Sequence, residues 1–80
     1  MRIPRDISGR QLAHLLEQYG YIITRQTGSH LRMTTLQSGE HHITIPDHKD
    51  LRVGTLNSIL IDVADHLKID KDTLLAEILR

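Results

Sequence analysis

The chain is predicted to fold as an α+β domain built from a helix, a three-stranded antiparallel sheet, a second helix and a short C-terminal helix. Three observations carry this. Apolar residues recur at helical spacing near the start (Leu12, Leu15, Leu16, Tyr19) and again later (Leu56, Ile59, Leu60, Val63, Ala64, Leu67). Between these stretches, residues 21–45 break into short β-favouring runs separated by glycine- and serine-containing turns. Helices that bury such stripes must cover one face of the sheet, which leaves the other face open.

Each element has its own local signal. Ser8 with Gln11 forms a capping-box pattern, and Ile7 with Leu12 stands at hydrophobic-staple positions, so the first helix begins at about residue 9. Gly20 can take the left-handed conformation that ends it. Strands are expected over residues 21–26, 30–36 and 41–45, with turns at Thr27-Gly28-Ser29 and Gln37-Ser38-Gly39-Glu40. In the second hairpin, Leu31 and Met33 share a face with Ile43 and Ile45 only if His30, Arg32 and Thr34 share the other with His42 and Thr44. The first hairpin leaves two alternatives open. A two-residue turn puts Ile22 and Thr24 on the core side, and a three-residue turn puts Tyr21 and Ile23 there.

Residues 46–53 form a polar connection to the second helix. Asp70 then reads as an N-cap, with Ile69 and Leu74 at staple positions, and Leu74, Leu75, Ile78 and Leu79 give the last helix an apolar side. This element order matches the topology of a double-stranded-RNA-binding domain, in which recognition runs through shape, 2′-hydroxyls and phosphates.

Eighty residues make a single domain, residues 1–80, which buries only a little over about 60% of the surface its unfolded form exposes. A core of that size has no room for a large cofactor, so none is expected. The absence of cysteine excludes disulfides, thiolate metal sites and a cysteine nucleophile. No apolar run is long enough for a signal peptide or a membrane span, the longest being Ile59-Leu60-Ile61, so a cytoplasmic protein is expected. Ten basic and ten acidic residues cancel, but unevenly along the chain. Residues 1–45 carry five arginines against Asp6, Glu17 and Glu40, and residues 46–80 carry five basic residues against seven acidic ones. A basic first half and an acidic second half could form two unlike faces.

Gly28-Ser29-His30 is the most informative tripeptide for chemistry. The glycine lets backbone approach a phosphate, the serine hydroxyl can donate to a phosphate oxygen, and the histidine opens the next strand from a defined position. A histidine ordinarily titrates at about 6.5, so near neutrality it can take a proton from a ribose 2′-hydroxyl and return one to a departing 5′-oxygen. Arg25 and Arg32 can add positive charge beside the phosphorus if the register puts them on one face. By residue type alone, a histidine opening a strand is an ordinary surface residue and glycine-serine an ordinary turn.

The pattern of motifs adds to this. Pro4-Arg5-Asp6-Ile7-Ser8-Gly9-Arg10, Gly20-Tyr21, Arg25-Gln26-Thr27-Gly28-Ser29-His30, Thr44-Ile45-Pro46-Asp47-His48 and residues 51–60 follow one another in an order and at separations that resemble the HicA family of toxin mRNA interferases. The resemblance covers residues 3–67. It implies a double-stranded-RNA-binding-like fold, metal-independent cleavage of messenger RNA, His30 as the catalytic histidine, and neutralisation by a HicB-type antitoxin protein.

The remaining candidates rank lower. His48 would be a second acid or a phosphate contact if residues 46–48 run beside residue 30. His41 and His42 point to opposite sheet faces and cannot chelate one ion as a unit, so they read as a solvated strand and no metal site is expected. His14 and His66 read as surface residues on the polar sides of their helices. Arg5 and Arg10 are candidate contacts to phosphate or antitoxin, and the acidic residues Asp62, Asp65, Asp70 and Asp72 read as a solvated face.

Overall fold

The computed structural model of the chain describes residues 6–79. It is the expected α+β arrangement: α1 (Gly9–Leu16), β1 (Ile22–Thr27), β2 (His30–Thr35), β3 (His41–Pro46), α2 (Val53–Leu67) and α3 (Lys71–Ile78), the strands forming one antiparallel sheet in the order β1-β2-β3. The capping box at α1 is complete. Ser8 Oγ accepts from the Gln11 N–H at 3.0 Å, and the Gln11 side chain accepts from the Ser8 N–H at 2.8 Å. A 3₁₀ turn (Glu17–Tyr19) extends α1 to Gly20, whose φ of +84° ends it. Asp70 caps α3 through a 2.9 Å bond from the Thr73 N–H, which holds its carboxyl below the usual carboxylate range.

In the β2–β3 hairpin, Leu31 pairs with Ile45 and Met33 with Ile43, all buried under the helices. Thr34 pairs with His42 and Arg32 with Thr44 on the open face, as the alternation requires. The β1–β2 hairpin combines the two alternatives. Its turn has two residues, since Thr27 pairs with His30, and a positive φ at Gly28 but not at Ser29 is the type II′ pattern. A bulge at Thr24 then shifts the register between Ile23 and Arg25, so that Ile23 faces Met33 and Tyr21 enters the core. One extra residue flips every side chain beyond it to the other face. Tyr21, expected to open the strand, precedes it and is fully buried.

Leu12 and Leu16 of α1 and Leu56, Leu60 and Val63 of α2 form one core with the covered sheet face, and Leu74 and Leu75 of α3 join it where α3 packs on α2. Every residue of β1 is exposed, so the helices shelter the other two strands and leave β1 as an open edge.

Tyr21 also anchors a polar network at the sheet end where His41 begins β3. Its O–H lies 2.7 Å from His41 Nδ1, while His41 Nε2 lies 3.1 Å from Asp62 Oδ1 on α2. A carboxylate only accepts, so His41 Nε2 carries the proton and Nδ1 accepts from the tyrosine. His66 stacks on His41 with centroids 4.4 Å apart, and its Nε2 donates to the Gln37 carbonyl at 2.9 Å. His41 and His66 thus join β3 to α2, which corrects their reading as solvated surface histidines.

Burial, and secondarily the Asp62 charge, push the Tyr21 phenol up to about 12. The neutral phenol is therefore favoured in the folded state, and its contribution is complete below about pH 10 and lost as pH rises toward about 12. Tyr21→Phe is expected to cost about 1 kcal/mol at neutral pH through the lost hydrogen bond. The variant should also unfold less steeply with alkali, as measured by urea midpoints across that range.

Candidate nucleic-acid interface

The open sheet face carries two rows of side chains that the register places side by side. Arg25, Arg32 and Thr44 are cross-strand partners, and so are Thr27, His30 and Pro46. Arg25, Thr27, His30, Arg32 and Thr44 line a shallow depression of about 190 Å³. All five are exposed. Among the described residues, the His30 ring has no hydrogen-bond partner and neither arginine has an ion-pair partner. Two arginines directly opposite each other repel, a cost that packing does not explain and that an anion between them would relieve.

The tip of the hairpin is held from beneath. The Asp47 N–H donates to the Ser29 carbonyl at 2.6 Å, fixing Pro46 and Asp47 beside His30. Arg10 Nη2 reaches both Asp47 Oδ2 at 3.1 Å and Gln26 Oε1 at 3.2 Å, tying α1 to β1 and to the end of β3. The His48 carbonyl accepts from the Gly9 N–H at 2.9 Å, at the first residue of α1. The structure thus groups His30 with Arg25 and Arg32, with Gly28 and Ser29 at the exposed tip. A Cβ on Gly28 would meet nothing within 4 Å, so the backbone there is open to approach.

His48 lies outside this group. It is exposed, its carbonyl goes to α1, and among the described residues no hydrogen bond joins its ring to His30. Arg5 lies outside the described residues. Arg10 serves as a clamp beneath the tip, a role without a local sequence signal because its partners are 16 and 37 residues away.

A second set of polar side chains continues along the same face. Glu40 Oε2 is 2.8 Å from His42 Nε2, His42 Nδ1 is 2.8 Å from Thr34 Oγ1, and Thr34 Oγ1 is 3.1 Å from Thr24 Oγ1. Arg25 and Arg32 lie on this face, while Asp62 and Asp65 are exposed on α2.

A family model described as the HicA toxin of bacterial toxin-antitoxin systems matches residues 9–64, from the start of α1 into α2, and so spans the whole open face. The chain belongs to the HicA toxin family. No curated protein and no solved structure matches it. As a HicA toxin it belongs with an antitoxin partner. Among the described residues, no helix of the toxin is long and apolar enough to cross a membrane, and no group of three or more His, Cys, Asp or Glu is placed to hold a metal ion.

Gly9 sets how closely α1 approaches the tip, because a Cβ there would lie 1.9 Å from the Pro46 carbonyl oxygen. Gly9→Ala is expected to push α1 from residues 46–48 and cost about 1–3 kcal/mol. Gly54, also helical, has nothing within 4 Å of its Cβ position, so Gly54→Ala should be neutral or stabilising. Thermal midpoints of the two variants, moving in opposite directions or only for Gly9, check this.

Proposed function

We propose that this HicA toxin is a metal-independent endoribonuclease, an mRNA interferase acting in the cytoplasm, with His30 as the group that moves protons. The observation that carries the reading is an exposed imidazole in one depression with two arginines, none of the three having a hydrogen-bond or ion-pair partner for its side chain among the described residues. The arginines bind the scissile phosphate and its neighbour, and Gly28 and Ser29 approach it with backbone and hydroxyl. The ribose 2′-oxygen forms a bond to phosphorus while the bond to the 5′-oxygen breaks. His30 takes the 2′-hydroxyl proton and a proton returns to the departing oxygen, so no external nucleophile is consumed. The products are a 2′,3′-cyclic phosphate and a 5′-hydroxyl. Arg25 and Arg32 spread the growing negative charge on the phosphoryl oxygens. His48, two residues past the partner of His30, is the second candidate on this path, as an acid or a phosphate contact.

A HicB-type antitoxin neutralises the toxin by covering this face, where acidic side chains would meet Arg25 and Arg32. The overall neutrality of the chain does not oppose RNA binding, because phosphate contacts depend on where the positive charge lies rather than on its total.

His30→Ala is expected to lower cleavage by about 10²- to 10⁴-fold. Stability should change by no more than about 0.5 kcal/mol, as at other exposed positions. Cleavage by the wild-type protein should persist in excess chelator and leave cyclic phosphate ends. Full activity in a folded His30→Ala protein, or a requirement for a divalent ion, would overturn the mechanism. Binding of long RNA without shortening it would leave an RNA-binding module instead. Arg25→Ala and Arg32→Ala should each weaken RNA binding and reduce its salt dependence by about one phosphate contact, read from affinity titrations at several salt concentrations.

A further inference from the structure

Beyond the tip, the open sheet face carries a second recess of about 430 Å³, lined by Ile22, Thr24, Thr34, Leu36 and Gln37 with Gly20 at its rim. Its character differs from that of the first. Ile22 and Leu36 are 61% and 75% exposed, and both border it, although large aliphatic side chains lose free energy when left in water. The two threonine hydroxyls are already oriented, since Thr24, Thr34 and His42 form one hydrogen-bonded chain. The rim is also fixed. Buried Thr35 donates its hydroxyl to the Tyr19 carbonyl and accepts from the Gln37 N–H. A Cβ on Gly20 would lie 2.7 Å from the Thr35 hydroxyl, so a side chain there would collide with this support.

The recess shares its face with the arginines. Thr34 is two residues along β2 from Arg32 and four from His30, about 13 Å from the histidine at strand spacing. A strand of RNA whose phosphate lies between Arg25 and Arg32 can therefore deliver a neighbouring base to it. Proteins that hold single strands commonly stack bases on exposed aromatic rings. This chain has no Phe or Trp, and its two tyrosines, Tyr19 and Tyr21, are buried. At this recess, Ile22 and Leu36 are placed to supply apolar contact to a base.

We propose that the Ile22–Leu36 recess is a nucleobase subsite, which sandwiches one base of a single-stranded RNA between aliphatic side chains and reads its edge with Thr34 and Gln37. The proposal rests on the RNA-cleaving reading above and adds the part of the substrate that the catalytic depression does not touch. The shared face with the arginine-lined depression favours RNA as the occupant over an apolar protein surface, which would bury the Gln37 amide at the rim without a new partner.

The test uses fluorescent 2′-O-methyl oligouridine, which cannot be cleaved, and the same probe with one base removed at successive positions. Wild-type protein is expected to bind the intact probe and to lose about tenfold in affinity when one particular base is missing. Ile22→Thr/Leu36→Ser should bind the intact probe about tenfold more weakly and show no penalty for that missing base. Leu36→Ser alone, at a loop position, should show an intermediate effect, and unchanged thermal midpoints establish that the variants are folded. Equal affinity of wild type and double variant for the intact probe, or a missing-base penalty that survives the substitutions, overturns the subsite. If binding still depends on Arg25 and Arg32, the RNA reading stands without it. Wild-type protein that neither binds the probe nor cleaves RNA overturns both. A double variant that loses self-association or antitoxin binding while binding RNA normally identifies the recess as a protein contact and overturns the proposal.

Discussion

The pairing of β2 with β3 is the constraint on which the rest of the structure depends. Leu31, Met33, Ile43 and Ile45 must lie under the helices, because exposing them would forfeit much of the core that so short a chain can build. Strand geometry then leaves no freedom for the residues between them. His30, Arg32, Thr34, His42 and Thr44 go to the open face together, and a slip of one residue would bury them and expose the core. The chemistry of the open face is thus a consequence of hydrophobic burial on the other.

Register alone does not hold a hairpin tip still. The tip at Gly28-Ser29 is supported by the chain leaving β3, through the Asp47 N–H on the Ser29 carbonyl, and that chain is in turn seated on α1 through Gly9 and Arg10. A glycine at residue 9 allows the approach because its α-hydrogen fits where a methyl group would meet the Pro46 carbonyl. The opposite end of the sheet is secured differently, by the Tyr21–His41–Asp62 chain and the stacked His66. Buried or half-buried polar groups there are all partnered, which confers rigidity without leaving unsatisfied groups in the core. The open face therefore spans two fixed ends.

The HicA match adds what geometry cannot, namely that this face belongs to a toxin that has an antitoxin partner. Geometry adds an exposed imidazole in one depression with two arginines, the arrangement on which the proposed RNA cleavage rests. The third helix lies outside the matched span and packs against α2 on the covered side, so its role is in the core, where Leu74, Leu75 and Ile78 are buried.

Local and periodic signals determined much of this protein from sequence alone. The capping box at Ser8, the apolar stripes of α1 and α2, the Asp70 cap and the alternation in β2 and β3 each act over a few residues, so each is visible without a structure. The placement of the candidate site residues was legible to the same extent: the open-face positions of His30 and Arg32 follow from alternation in β2, and that of Gly28-Ser29 from the turn. Tertiary structure decided what depends on residues far apart. The bulge at Thr24 has no signature of its own, yet it allows Arg25 to face Arg32 near the turn while sending Tyr21 into the core. His41 and His66 look like surface histidines until the packing of α2 on the sheet stacks them. Arg10 becomes a clamp only when α1 reaches the end of β3. Periodicity reports which face a residue takes within its own element, whereas register shifts and contacts between elements are settled by the packing of the whole chain.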